Sequence, residues 1–251
     1  MPRDTSDNRR AAADRTWPLL LAEAAGAFLF FFVGAGAVVV NDYAAAQGGA
    51  GPGLVGVALA HGLALAALVS ALGAVSGAHL NPAVTFAVWL AGHISPVRAA
   101  LYVVAQLVGA AAAGFALRAV FDESFWGPSA IGTPALGAEI SPVAGIAIEA
   151  VLTVLLVVAV FGTAVDRRAP PIGGIAIGLA VAADILMGGP LTGGAMNPAR
   201  WFGPAVASGA FDNWYVWWIG PLIGAGIAAG LYRLALAERG RVDVTPGTPE
   251  G

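Results

Sequence analysis

The sequence contains no cysteine and no lysine, and only 11% of its 251 residues are charged. Without cysteine there can be no disulfide, no thiol nucleophile and no thiolate metal site. An average soluble domain carries about 25% charged residues. The low charge here, with 58% hydrophobic residues and a mean hydropathy of +0.79, excludes water as the main solvent and defines an integral membrane protein. Histidine is scarce too, with three in the chain. No nucleophile–base pair, metal-ligand cluster or phosphate loop can be assembled from the residues present. The glycine-rich Gly34-Ala35-Gly36 lacks the strand-to-helix setting of a nucleotide site. An enzyme is therefore the poorest reading, and neither cofactor nor metal is expected.

Six stretches approach or exceed the roughly 20 apolar residues a membrane span requires. They cover about 17–40, 53–75, 96–120, 140–163, 171–188 and 213–237. The apolar run after the polar start MPRDTSDNRRAAADRT lacks the short core and small-residue cleavage site of a signal peptide, so it stays as the first span. Residues 1–16 form a polar tail, 17–237 a single domain with halves at about 17–125 and 140–237, and 238–251 a polar tail expected to be disordered. All 12 basic residues are arginine, and ten of them fall on one side of this topology: Arg3, Arg9, Arg10, Arg15, Arg98, Arg167, Arg168, Arg233, Arg239 and Arg241. Asp42, Asp122, Glu123, Glu139 and Asp212 occupy the opposite loops, so the positive-inside rule places both termini in the cytoplasm. Arginine without lysine, with abundant alanine and glycine, fits a GC-rich genome and hence a bacterial inner (plasma) membrane. Trp17, Trp89, Trp126, Trp214, Trp217 and Trp218 fall near span ends, as interfacial aromatics do. Gly109, Gly114, Gly173, Gly174, Gly178, Gly224, Gly226 and Gly230 read as close-packing positions between spans.

Between spans two and three, and again between five and six, lie apolar segments too short to cross, Asn81–Ala91 and Asn197–Ser208. Each opens with the same stretch: Gly77-Ala78-His79-Leu80-Asn81-Pro82-Ala83-Val84 and Gly193-Gly194-Ala195-Met196-Asn197-Pro198-Ala199-Arg200. Asn caps a helix and Pro fits its first position, where no N–H is needed. Three spans per half is an odd number, so the second half enters the membrane upside down. The expected fold is all-α: six transmembrane helices plus two re-entrant half-helices in an inverted repeat. The half-helix N-termini then meet near the midplane, each with about half a positive charge. Asn81 and Asn197 would each offer an amide N–H₂ to the same spot, a filter that favours neutral polar molecules and opposes cations.

These paired motifs, with Arg200 after the second, resemble the major intrinsic protein (aquaporin) family across about residues 17–237. The resemblance implies a passive channel for water, a homotetramer with one pore per subunit, and a second constriction. Carried over by local context, that constriction comprises His61, Ile185, Gly194 and Arg200. The set His-Ile-Gly-Arg is similar to that of the plant tonoplast-intrinsic branch, as are Val84-Thr85-Phe86 and Trp201-Phe202-Gly203-Pro204-Ala205. It implies passage of water and ammonia, and in some members urea. Physically, Arg200 supplies fixed donors and His61 a switchable donor or acceptor. Glycerol is disfavoured, since Trp201 stands where glycerol-conducting relatives place Asp, and Trp217-Trp218 supplies an aromatic pair they lack.

Plainer readings stand beside these. Arg200 could snorkel at the surface, although it lies inside a re-entrant segment. His61 could be an interhelical hydrogen-bonder, the ring of His79 structural, and His93 a solvated loop residue. Glu23 and Glu149 could relay protons; the resemblance implies instead that they accept N–H bonds from the re-entrant loops. Asp184, where the plant look-alikes carry Asn, requires a partner if ionised, with Arg118, Arg200 and His61 as candidates. Such a contact would raise the proton affinity of His61 or steady Arg200 and make conductance pH-dependent. The alternatives in function are a facilitator mainly for ammonia or urea, and an ion-coupled secondary transporter, since inverted repeats with broken helices serve those too.

Overall fold

The computed structural model describes residues 5–166 and 172–239, with side chains described between Thr16 and Ala235. Expectations for the C-terminal tail beyond 239, for Arg167 and Arg168, and for the side chains of the N-terminal arginines lie outside these residues. The described chain is helical: α1 (Thr5–Ala46), α2 (Gly53–Ser76), α3 (Pro82–Leu90), α4 (Pro96–Val120), α5 (Glu123–Trp126), α6 (Pro142–Val160), α7 (Gly173–Thr192), α8 (Pro198–Ser208) and α9 (Val216–Arg239). A single π-turn, Phe161–Val165, extends α6. Among the described residues, six helices are long and apolar enough to cross a membrane: Thr16–Ala46, Gly53–Ser76, Pro96–Val120, Pro142–Val165, Gly173–Thr192 and Val216–Ala235. Even the 20-residue α7 reaches about 30 Å, the thickness of a bilayer core. α3 and α8, with 9 and 11 residues, reach about 14 and 16 Å, so that together they cover one span.

Local chemistry sets where these helices begin. α3, α4, α6 and α8 all start at a Pro in the first turn behind a capping side chain. Ser95 and Ser141 cap α4 and α6, and Asn81 and Asn197 cap α3 and α8. α2 and α7 both end at a left-handed glycine, Gly77 (φ 91°) and Gly193 (φ 82°), which turns the chain back into the bundle.

Packing repeats between the halves. α1 packs on α2 and α4, α6 packs on α7 and α9, and the α2–α7 contact joins the halves. Each half-helix lies against the other half's last span, α3 on α9 and α8 on α4. Glycine permits the closest approaches: a Cβ on Gly178 would stand 2.3 Å from the Gly62 carbonyl oxygen. Gly109 abuts the Ala24 carbonyl as Gly224 abuts that of Ala150. Gly226 and Gly230 correct the packing expectation, because nothing lies within 4 Å of the Cβ each would carry. They point away from the bundle.

Two tryptophans also depart from the interfacial pattern. Trp217 is 1% exposed, stacks on Trp201 at 5.8 Å and donates from Nε1 to the Thr192 carbonyl at 2.9 Å. Its indole anchors the end of α7, and its aromatic partner is Trp201, not the neighbouring Trp218. Trp126 is buried beneath the Arg118 guanidinium, 5.3 Å from its ring centre. Trp17 and Trp214 are exposed, as expected of interfacial rings.

Candidate pore

The two loops that lead into the half-helices adopt the same backbone. Gly77, Ala78 and Leu80 have positive φ in the first; Gly193, Gly194 and Met196 have it in the second. A left-handed conformation costs a non-glycine residue roughly 1–2 kcal/mol. Buried carboxylates offset that strain by binding the N–H groups it exposes. Glu23 accepts from His79 N (3.0 Å), Leu80 N (2.8 Å), the Ser76 hydroxyl (2.6 Å) and Gln106 Nε2 (2.7 Å). Glu149 accepts from Ala195 N (2.9 Å), Met196 N (2.7 Å) and the Thr192 hydroxyl (2.6 Å). Hydrogen bonds to a charged group contribute about 1.5–3 kcal/mol each, enough to hold both loops in their strained shape.

With the N–H groups turned outward to carboxylates, the carbonyls of residues 77–79 and 193–195 accept no bond from any described residue. Residues 77–81 and 194–197 line a lumen of about 110 Å³. Phe30, Leu65, Val84, Leu156, Val181 and other apolar side chains complete its wall. One stripe of acceptors against an apolar surface gives a water file partners on one side only.

At the meeting of the half-helices, each Asn does three jobs. Asn81 Oδ1 accepts from Ala83 N and Val84 N, while its Nδ2 donates to the Met196 carbonyl at 2.9 Å. Asn197 Oδ1 accepts from Ala199 N and Arg200 N, and its Nδ2 donates to the Leu80 carbonyl at 3.0 Å. This refines the expectation of two free amides. One N–H of each is spent across the repeat and one is left for the lumen. Pro82, Ala83, Pro198 and Ala199 are buried in the first turns that these caps start.

A larger chamber of about 440 Å³ adjoins the lumen, lined in part by Asn41, Ser129, Thr133 and Asp212. His61, Ile185 and Arg200 line both spaces and so form the neck between them; Gly194 lines the lumen side. Arg200, 5% exposed, donates from Nε to His61 Nε2 at 2.9 Å and from Nη1 to the Gly132 carbonyl at 2.7 Å. His61 Nδ1 lies 2.9 Å from the Val57 carbonyl, which can only accept, so Nδ1 carries the hydrogen and Nε2 is bare. That tautomer is the one Arg200 requires. It corrects the expectation that His61 offers a switchable group, because both ring nitrogens are engaged and the ring instead positions Arg200.

Asp184 touches none of its expected partners. It is 1% exposed with no hydrogen bond to either oxygen from any described residue, while Arg118 donates to the Ala207 carbonyl and Arg200 and His61 pair with each other. His79 presents its ring to Thr85 Oγ1 (3.1 Å) and to Tyr102, and the residue lines the lumen; His93 is exposed. Sequence reasoning missed Ser76, Gln106, Thr192 and the carbonyl of Gly132. Ser76 and Thr192 had a signal, since each directly precedes the glycine that opens a repeated stretch.

Six spans in an inverted repeat around a narrow, acceptor-lined lumen define a membrane channel. A model of the family described as major intrinsic protein matches residues 11–232. Aquaporin TIP2-1 of Arabidopsis thaliana is 42% identical over 218 residues, covering 84% of each chain. Probable aquaporin TIP3-2 of the same plant is 45% identical over 221 residues, 84% of this chain and 81% of the relative. The lens fiber major intrinsic protein of Gallus gallus is 41% identical over 236 residues, 93% and 87% of the two chains. Among solved structures, the aquaglyceroporin from Plasmodium falciparum shares the fold, with a TM-score of 0.77 at 23% identity over 89% of this chain and 98% of that one. The chain belongs to the major intrinsic protein (aquaporin) family, with tonoplast-intrinsic-type aquaporins among its relatives. It is a channel and not an enzyme.

Proposed function

We propose that the chain is a passive water channel that also passes ammonia and urea and excludes protons and other cations. The observation that carries this reading is the joint at Asn81 and Asn197, where one free N–H from each half and two helix N-termini face one lumen. A water there accepts from both amides, so its own hydrogens point away along the file toward the carbonyls of the two loops. Cations meet two positive helix ends and then the fixed charge of Arg200, the filter logic of aquaporin-type pores.

The solute range rests on the neck. His61, Ile185, Gly194 and Arg200 act as its filter, with a single fixed donor group on one side. Ile185 and Gly194 add no polar side-chain atom to it. Glu23 and Glu149 support the loops, their oxygens taken by loop and neighbouring donors, which disfavours an ion-coupled transporter needing free carboxylates at the midplane. Both termini face the cytoplasm by the arginine bias, and four copies assemble with one pore each, as the family resemblance implies. Residence in a bacterial inner membrane rests on composition alone, since the relatives compared are eukaryotic.

Stopped-flow light scattering of proteoliposomes after a jump in external urea tests the reading. Fast shrinkage and then fast re-swelling is expected. Re-swelling at the rate of empty vesicles would remove urea from the range and leave water, and shrinkage at that rate would refute the water channel.

A further inference from the structure

Asp184 is a buried carboxyl that no described donor satisfies. Its neighbours fix what it faces. One turn on, a Cβ at Gly188 would stand 2.5 Å from Leu152 Cδ1 and 3.2 Å from Gly194 Cα, and Gly194 itself packs on the Asp184 carbonyl. This face of α7 therefore lies against α6 and the loop at 192–196, whose N–H groups end on Glu149. Leu152, which this face meets, lies about one helical turn after Glu149 on α6.

The two halves differ at this place. Gln106, three residues before Gly109, gives Glu23 a donor that the second half lacks; three residues before Gly224, which packs on Ala150 as Gly109 packs on Ala24, stands Pro221. Glu149 is thus short of one donor, and Asp184 beside it is without a partner. A buried carboxylate with neither donor nor counter-ion costs several kcal/mol, and a second negative charge next to Glu149 adds to that. Glu149, with three donors on its oxygens, is the member of the pair built to be ionised.

We propose that the second half holds one proton between its two buried carboxyls, that Asp184 carries it as a neutral acid, and that Glu149 is thereby left as the single negative charge behind the second loop. Asp184 is then a positioning residue for the second loop. The other ionisable groups around it are His61 on α2, committed to Arg200, and Arg200 on α8; the turn 161–165 beside α7 contributes none. Removing the proton places two negative charges behind the loop whose residues 194–197 line the lumen and which leads into the cap of α8. The loop loosens and the water path is lost.

Infrared difference spectroscopy on the reconstituted full chain, from about pH 6 to about pH 10, tests the assignment. A carboxylic-acid C=O band that shifts on deuteration is expected near neutral pH and is lost at the alkaline end. It is absent in Asp184→Asn, and Asp184→Glu retains it at a moved position, a check that holds even if the Asn variant folds poorly. Osmotic water permeability falls in step with the band in the wild type and stays flat with pH in Asp184→Asn. No acid band, or one that survives in a folded Asp184→Asn, would overturn the proposal. So would a permeability profile identical in the two proteins. The permeability arm rests on the water-channel reading, but the spectroscopic arm does not: wild-type vesicles as tight as empty ones at every pH would refute the channel while the band still decides where the proton sits.

Discussion

Replacing Gly178 by alanine tests the helix crossing that sets the width of the neck. The new Cβ would stand 2.3 Å from the Gly62 carbonyl oxygen and 2.7 Å from Ala66 Cβ. A relaxed carbon–oxygen approach is about 3.3–3.6 Å, and backbone cannot turn aside as a flexible side chain can. α2 and α7 must therefore part by about 1 Å, at a cost of about 1–3 kcal/mol for an overpacked contact. His61 adjoins Gly62 on α2, and Ile185 lies two turns beyond Gly178 on α7, so the displacement acts on both sides of the neck. A gap of about 1 Å is large against a water about 2.8 Å across. The expected result is a lower thermal midpoint in detergent together with a rise in urea permeability relative to water, read by stopped-flow scattering. An unchanged midpoint with an unchanged urea-to-water ratio would show that the helices do not meet here as closely as described, and that the neck is not set by this contact.

Arg200→Val removes the fixed charge and frees His61 Nε2 and the Gly132 carbonyl; cation leak, measured as dissipation of a pH gradient, rises while water still passes, and a gradient as durable as in the wild type would displace Arg200 from the filter. His61→Phe deletes the acceptor of Arg200 Nε and fills the neck with a larger ring; urea re-swelling slows towards that of empty vesicles, and an undiminished urea rate contradicts the placement of His61. Asn81→Asp keeps the cap on α3 but loses the donor to the Met196 carbonyl; a loss of about 1–3 kcal/mol should appear in thermal unfolding, with proton leak as its functional sign.

Much of this architecture was legible in the chain because the membrane imposes coarse rules. A span must be apolar for its whole length, and backbone that breaks at membrane depth must line a cavity or be bonded within the protein. The Asn-Pro pairs have a local chemical meaning as helix starts, which placed the half-helices to within a residue. What escaped depended on side chains that meet only in three dimensions. His61 and Arg200 are 139 positions apart, and no local pattern tells that the bond between them consumes the histidine's free nitrogen. Trp217 is misjudged from sequence for a similar reason: a tryptophan at a span end is usually interfacial, but this one stacks on a ring from the half-helix. Asp184 likewise had candidate partners in the sequence motifs, yet its buried carboxyl meets none of them.

The reciprocal bonds between Asn81 and Met196 and between Asn197 and Leu80 also bear on how flow could be regulated. Each half is locked by the other where the two half-helices meet, and both loops beside that point are pinned to buried carboxylates. Closing the channel there would mean breaking cross-repeat bonds and uncovering buried charge in a single event. The centre is therefore the least economical place for a valve. Any control over traffic belongs at the two mouths, where the backbone has fewer commitments and a small shift can occlude the path without dismantling it.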